Sequence, residues 1–390
     1  MDIICFSAVN WEPLMTRIQS LMLRIPKHNR IFYIEPPSTL ISPLKDSKRW
    51  EDYIKWLNNP IKVIDNVYVF KLPPILPFYN KNIMVNKVNQ YFIAKYLNLL
   101  FKKYKVSKPI LWIYNPFNVD ILKYVDYSCV IYDCVDKHSE FKGLINKEIV
   151  EGYEKKLCKL SNVVFATAEA LYDNVKLYND NTYLVPNGVD FDLFNSVDLM
   201  NYERPLELKN LKGKILGFIG AVKEWVDLEL VYKVACKKHD WNFVFIGPLA
   251  SLEIISRLKS LNNVCFIEPK PQKDLPRYIK HFDVCLNLFK KSELTKNVSP
   301  LKFYEYLATG KPIISTDMPH IRKFSDLIYI VEDEEDFIKK CEDIFNGEDD
   351  IKKQKRIEIA KKASWDNRMN DILEYIKNVC KINLREGDKP

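Results

Sequence analysis

The chain has 390 residues, 47% hydrophobic and 28% charged, with 59 Lys and Arg against 51 Asp and Glu for a formal net charge of +8. That length fits two domains, each large enough to bury its own core, and a modest basic excess interspersed with acids suits an anionic substrate or surface better than a dedicated nucleic-acid interface. Nine scattered cysteines without a Cys-x-x-Cys pair point to a reducing cytosol rather than a disulfide framework or zinc knuckle, the short apolar run after Met1 lacks the basic flank of an export signal, and no run approaches the ~20 apolar residues of a membrane span.

Short β-like runs alternate with helical stretches, the pattern of parallel sheets built from βαβ units. A first sheet is predicted from strands at 3–6, 30–34, 67–70, 110–113, 129–132 and 163–166. Just after the first strand stand Asn10 and Trp11, where an aromatic face can stack on a sugar, although a Trp there serves the core at least as often. Arg17 and Arg24 follow on a helix and are candidates to meet an acidic substrate or a lipid phosphate. Residues 81–108 read as an amphipathic helix rich in Lys, Tyr, Phe and Leu, suited to an anionic bilayer surface, or equally to a solvated basic face. The strand at 129–132 runs into a loop carrying Asp133, Asp136 and His138. Carboxylates in such loops cap turns about as often as they do chemistry. Asp136 is the candidate general base for a hydroxyl, with His138 second, either as base or as a ligand contact.

The turn Val185-Pro186-Asn187-Gly188-Val189-Asp190 and the polar stretch to Lys212 mark a boundary. The expected organisation is a first domain over 1–185, a linker over 186–212, a second domain over 213–366, a helix over 367–380 that returns to the first domain, and a tail over 381–390 whose charged stretch from Arg385 to Pro390 is expected to be disordered. The second domain's strands are predicted at 215–219, 242–246, 264–267, 284–288, 313–316 and 328–331. Two doubly wound, Rossmann-like α/β domains would present the carboxyl ends of their strands to a central cleft, where ligands bind. Gly220 and Ala221 close the first of these strands, so that backbone can approach a pyrophosphate with Lys223 nearby. The turn at Gly247-Pro248 reads as structural.

The densest signal is the segment from Asn297 to Pro312. Ser299 is a good N-cap, Pro300 suits the first helical position, Leu301 opens the apolar side, and Gly310 followed by Lys311-Pro312 ends the helix. Lys302 and Glu305 share another side at i,i+3 spacing. Free N–H groups and Lys302 would receive a phosphate, and Glu305, one turn deeper, the two hydroxyls of a ribose. The alternative is an ordinary charge pair in solvent.

In order, the Val185–Asp190 turn, Gly217-Phe218-Ile219-Gly220, Phe245-Ile246-Gly247-Pro248 and the Ser299–Pro312 segment resemble the carboxyl half of GT-B glycosyltransferases of the "glycosyl transferases group 1" family. Phe6-Ser7, Trp11, Arg17, Gln19, the run Phe32–Pro37 and Tyr132–Asp136 resemble its bacterial branch acting in teichuronic-acid and other surface-polysaccharide assembly. The resemblance implies a GT-B fold, a nucleoside-diphosphate sugar held by the second domain and an acceptor by the first, with Glu305 matching the ribose-binding glutamate and Lys302 the basic residue near the diphosphate. Two positions depart from the pattern: Asn297 stands where many relatives carry a glutamate that contacts the donor sugar, and the Arg and Lys pair after the glycine-rich turn is replaced by Lys223 alone. Five histidines without ligand spacing and the lack of an Asp-x-Asp motif after a strand argue against a metal, and no cofactor is expected.

The resulting expectation is a cytosolic-face enzyme, with possible peripheral contact with an anionic membrane, that moves a sugar from UDP to a saccharide or lipid-linked acceptor, with retention favoured over inversion. Its rivals are a nucleotide-sugar epimerase of similar shape and a non-catalytic membrane-surface assembly protein.

Overall fold

The computed structural model describes residues 1–141 and 146–385. Every predicted strand of the first sheet forms: β1 (Asp2–Phe6), β2 (Arg30–Glu35), β4 (Val67–Lys71), β5 (Ile110–Ile113), β6 (Cys129–Cys134) and β7 (Val163–Ala166). The short strands β3 (Lys62–Ile64) and β8 (Thr182–Leu184) complete it. The order is β3-β4-β2-β1-β5-β6-β7-β8, parallel except for β3, which pairs antiparallel at the edge. The two extra strands are three residues each and carry too little apolar alternation to register in the sequence. Because side chains alternate, one face of this sheet gives Ile4, Phe6, Phe32, Ile34, Leu111 and Ile113 to a core shared with Ile93, Leu97 and Phe101 of the helix Ile83–Tyr104. Ile3, Cys5, Tyr33, Trp112 and Phe165 are buried on the other face, which is how a doubly wound sheet hides both sides. Chain order reverses between β1 and β5.

The second sheet contains β9 (Lys214–Ile219), β10 (Trp241–Ile246), β11 (Val264–Ile267), β12 (Val284–Asn287), β13 (Ile313–Thr316) and β14 (Tyr329–Val331), in the all-parallel order β11-β10-β9-β12-β13-β14. Both faces are again buried. Ile215, Ile219, Val244, Ile246, Cys285 and Ile313 enter one core, and Leu216, Phe218, Phe243, Phe245, Leu286 and Ile314 the other. Here the reversal lies between β9 and β12, and ligands of such sheets bind outside the carboxyl ends of the strands at that point.

The chain divides into two compact units, one of Met1–Pro186 with the segment beginning at Met369, the other of Asn187–Arg368. The stretch expected as a linker is therefore structured. It forms the helix Phe191–Leu199, and Phe194, Val197 and Leu208 sit in the second unit's core. Its polarity misled because three buried apolar residues suffice to anchor it. The closing helix runs over Trp365–Cys380, and its Tyr375 stacks on Tyr183 of the first unit at 4.0 Å between ring centroids. Cys129 and Cys380 are joined in a disulfide across 251 positions, which corrects the expectation of unpaired thiols; separation in sequence gave no sign of it. The predicted tail lies outside the described residues from 386 onward. Among the described residues no helix is long and apolar enough to cross a membrane.

Candidate functional site

In the second unit, the loops after β9 and β10 bond to each other through their backbones. Gly220 donates to the Ile246 carbonyl at 2.9 Å, Val222 to that of Pro248 at 2.9 Å, and Ala250 to that of Val222 at 2.9 Å. The two glycines differ in purpose. Gly247, at φ 148°, is needed for close approach, since a Cβ there would sit 2.1 Å from the Gly220 oxygen. Gly220, at φ 146°, would present a Cβ that meets only the Phe218 ring, at 3.5 Å. The space beyond Gly220 is thus open, as backbone approaching a ligand requires. Ala221 follows, half-buried, and Lys223 is exposed with its Nζ 5.0 Å from the centre of the Trp225 ring. The helix capped by Asp227, which accepts from Leu230 N–H at 3.2 Å, begins only at Leu228. Its positive end belongs to that later residue, not to the glycine turn.

The helix predicted from Ser299 spans Leu301–Thr309, with Pro300 at the N-cap and Gly310 at the C-cap in the left-handed conformation, φ 70°. Ser299 is not its cap. The Ser299 hydroxyl is buried and pairs with His320 Nε2 at 3.1 Å, and the Asn187 side-chain amide donates to the Ser299 carbonyl at 2.7 Å. With no side-chain cap, the first-turn N–H groups of the helix stay available to an anion. The charge pair does form: Lys302 Nζ lies 2.7 Å from Glu305 Oε2. It is not a solvent pair, because the Glu305 side chain is 1% exposed while that of Lys302 is 25% exposed. Gln272, beyond β11, donates to Glu305 Oε1 at 3.0 Å. Each carboxylate oxygen has two lone-pair sites, so each retains capacity for a hydroxyl donor. Sequence reasoning missed Gln272 because a glutamine in a turn has no spacing signature; its place beyond a strand end was the available clue.

Asn297 is buried, and its Nδ2 donates to the Glu293 carbonyl at 2.6 Å while its Oδ1 has no hydrogen-bond partner. This buried acceptor, two residues ahead of Ser299, has the capacity to accept a further hydrogen bond. It also offers no charge where a glutamate would.

The first unit reassigns two predicted acceptor residues. Arg17 is 3% exposed and is held inside by Asp133, with Nε to Oδ2 at 3.0 Å, and by the Val185 carbonyl at 2.9 Å from Nη1. It secures strand ends and is not presented to an acceptor, since a guanidinium so enclosed stays only where a carboxylate compensates it. Trp11 is 6% exposed, edge-on to Tyr33 at 4.9 Å, with its backbone N–H donating to Glu35 Oε1 at 2.8 Å. Its face is therefore closed to a sugar. Asn10 is exposed, and its Oδ1 accepts from Lys71 Nζ at 3.2 Å.

Asp136 and His138 lie just past β6. Asp136 is half-buried, and desolvation pushes its carboxyl up to about 7. Among the described residues no side chain donates to it. His138 is buried, which lowers its imidazole to about 4, and its Nε2 meets the Tyr114 carbonyl at 3.2 Å. The ring is consequently neutral, with Nε2 donating and Nδ1 left as an acceptor. No cluster of metal-ligating side chains occurs among the described residues.

A profile of the family described as "Glycosyl transferases group 1" matches residues 213–346, which contain the glycine turn and the Leu301–Thr309 helix. A protein of Bacillus subtilis (strain 168) named as a teichuronic acid biosynthesis glycosyltransferase, TuaH, is 30% identical over 266 residues. Residues 213–346 of this chain match the glycosyl transferases group 1 family. The alignment takes in 63% of this chain and 66% of TuaH, just under two thirds of the relative's length. Among solved structures, Anabaena Alr3699/HepE in complex with UDP and glucose superposes with a TM-score of 0.64 at 12% identity, covering 96% of this chain and 99% of that one. An E. coli trehalose-6-phosphate structure bound with UDP-2-fluoro glucose gives 0.68 at 11% identity, covering 98% and 99%. At such identities the likeness speaks for the fold, which is GT-B with two Rossmann-like domains. Glu305, Lys302 and Gly220 all fall inside the family-matched segment.

Proposed function

We propose that this group 1 glycosyltransferase moves a sugar from UDP to a saccharide or lipid-linked saccharide acceptor during bacterial cell-surface polysaccharide synthesis. The observation that carries the reading is the buried Glu305 carboxylate, fixed by Gln272 and Lys302 one turn below an uncapped helix start. A shielded carboxylate with spare lone pairs fits the two hydroxyls of a ribose, and the free N–H groups with Lys302 fit a diphosphate. The two solved structures named above contain UDP, as UDP or as its 2-fluoro glucose ester, which supports uracil as the base. Asn297 and Lys223 are the further donor contacts in this reading, the first toward the sugar and the second toward the diphosphate.

Retention is favoured by the family resemblance. Inversion is the second reading, because an Asp136 carboxyl near neutrality has the basicity a general base needs. The anomeric configuration of the product, read by proton NMR, separates the two. Membrane contact is a further part of the proposal. The helix Ile83–Tyr104 contains no acidic residue and turns outward Met84, Phe92 and Leu99, at 65%, 62% and 68% exposure, beside Lys87 and Lys95. Such a face suits an anionic cytoplasmic leaflet. Calorimetry with UDP tests the assignment, and absence of binding would end it.

A further inference from the structure

Ser299 has the residue type and the place of a cap for the helix Leu301–Thr309, yet it does not act as one. A capping serine accepts from the N–H groups two and three positions on, here those of Leu301 and Lys302, and Pro300 would then stand at the first helical position, which its ring suits. Pro300 does have a helical φ of −67°, but its ψ of 120° is extended. One backbone torsion therefore separates the observed start from the capped one. What holds the Ser299 hydroxyl away is a pair of residues from elsewhere in the second unit. It lies 3.1 Å from His320 Nε2 and accepts from the Asn187 N–H at 3.4 Å, while the Asn187 amide donates to the Ser299 carbonyl at 2.7 Å.

His320 belongs to the short helix Pro319–Arg322 that follows β13, and it is buried, with the rings of Tyr304 and Phe324 at 6.0 and 6.1 Å from its own. The Tyr304 hydroxyl also meets Nε2, at 2.9 Å. One ring nitrogen offers a single in-plane site, so the two hydroxyls share it. A hydrogen bond made in the interior is costly to leave unmade, and the imidazole can in this way outweigh the attraction of the helix start for the same hydroxyl. The consequence falls on ligand binding. A serine oxygen in the capping position would occupy the very N–H groups that a phosphate needs.

We infer that His320 is a positioning residue for the donor diphosphate: by holding the Ser299 hydroxyl it keeps the Leu301 and Lys302 N–H groups uncapped for the phosphates. The inference rests on the donor-site reading and adds to it a residue that acts through Ser299. His320→Phe keeps a ring and removes the nitrogen. Calorimetry should show this chain binding UDP about fivefold or more weakly while uridine, which has no phosphate, binds as before. Without ligand, hydrogen exchange of the Leu301 and Lys302 amides, followed by NMR, should slow by roughly threefold or more as Ser299 moves to the cap. In a Ser299→Ala chain, which cannot form that cap, the same His320→Phe change should cost UDP less than about twofold, as the coupling of groups in contact requires. His320→Gln, whose amide can still meet the hydroxyl, should keep UDP within about threefold of the unsubstituted chain. Tyr304→Phe leaves Nε2 to Ser299 alone and tests the same point with His320 intact: UDP affinity should not fall. Loss of UDP and uridine binding alike in His320→Phe, with or without Ser299, marks a merely structural histidine and overturns the inference. So does unchanged exchange of the two amides, or a clear fall in UDP affinity in Tyr304→Phe. If the unsubstituted chain does not bind UDP, the donor-site reading falls, and the exchange result alone decides whether His320 governs the helix start.

Discussion

Replacing Glu305 by Ala removes a carboxylate whose side chain is 1% exposed and whose two oxygens are met at 3.0 Å by Gln272 and at 2.7 Å by Lys302. If ribose hydroxyls occupy its remaining lone pairs, each charge-assisted bond in a shielded site is worth about 1.5–3 kcal/mol net. The loss is partly offset because Lys302, freed from its partner, becomes a stronger ligand for the diphosphate. A net loss of about 2–4 kcal/mol, or roughly 30- to 900-fold in UDP affinity, is expected. Calorimetry with UDP and 2′-deoxy-UDP on both forms makes the argument specific. The unsubstituted chain should discriminate against the deoxy nucleotide, and the Glu305→Ala chain should bind both alike, so that the two changes couple as groups in contact do. Equal discrimination by both forms would refute the reasoning, whatever the absolute affinities.

Other expectations follow from the same geometry. Lys302→Gln should weaken UDP by about five- to twentyfold, an amount suited to a part-exposed cation, and the loss should shrink at high salt in titration calorimetry. Gly247→Ala should destabilise by several kcal/mol in urea unfolding, about twice the cost of Gly220→Ala, because its Cβ collides with the Gly220 oxygen whereas Gly220 has space and pays mainly in backbone conformation. Asp136 holds its proton to about 7 in the fold and releases it near 4 when unfolded, so by itself it lowers stability as pH rises between those values. His138, held down to about 4 against an ordinary value near 6.5, raises stability with pH over almost the same window. The two slopes oppose; Asp136→Asn should expose the rise and His138→Gln the fall, each about 1.4 kcal/mol per pH unit in denaturation series from pH 4 to 7. Phe92→Ser with Leu99→Ser should reduce co-sedimentation with phosphatidylglycerol vesicles severalfold and leave UDP binding unchanged; equal sedimentation would remove that face from consideration.

Much of this was legible in the sequence because parallel strands buried on both faces announce themselves as short apolar runs. All twelve predicted strands are present, and among the described residues only the three-residue strands at 62–64 and 182–184 escaped. The Lys302 and Glu305 pair was legible because a proline-started, glycine-ended helix fixes which side chains share a side. What could not be read was partnership across long separations. Gln272 reaches Glu305 over 33 positions, Asp133 reaches Arg17 over 116, and each pairing decides whether a polar residue faces a ligand or the interior. Trp11 and Arg17 failed as acceptor residues for that reason: their position beyond a strand end was right, but tertiary partners had already claimed them.

The first unit is interrupted in the chain, closed only by residues from Met369 onward. During vectorial synthesis the ribosome must add the whole of 187–368 before Tyr375 can cover Tyr183, a delay of roughly 10–40 s at ordinary elongation rates. For that interval an aromatic surface of the nascent sheet stands open, inviting chaperones or misassociation. A nonsense mutation between 187 and 375 should therefore harm the amino-terminal half as well as the missing part, whereas 187–368, being contiguous, is the portion best suited to mature unaided.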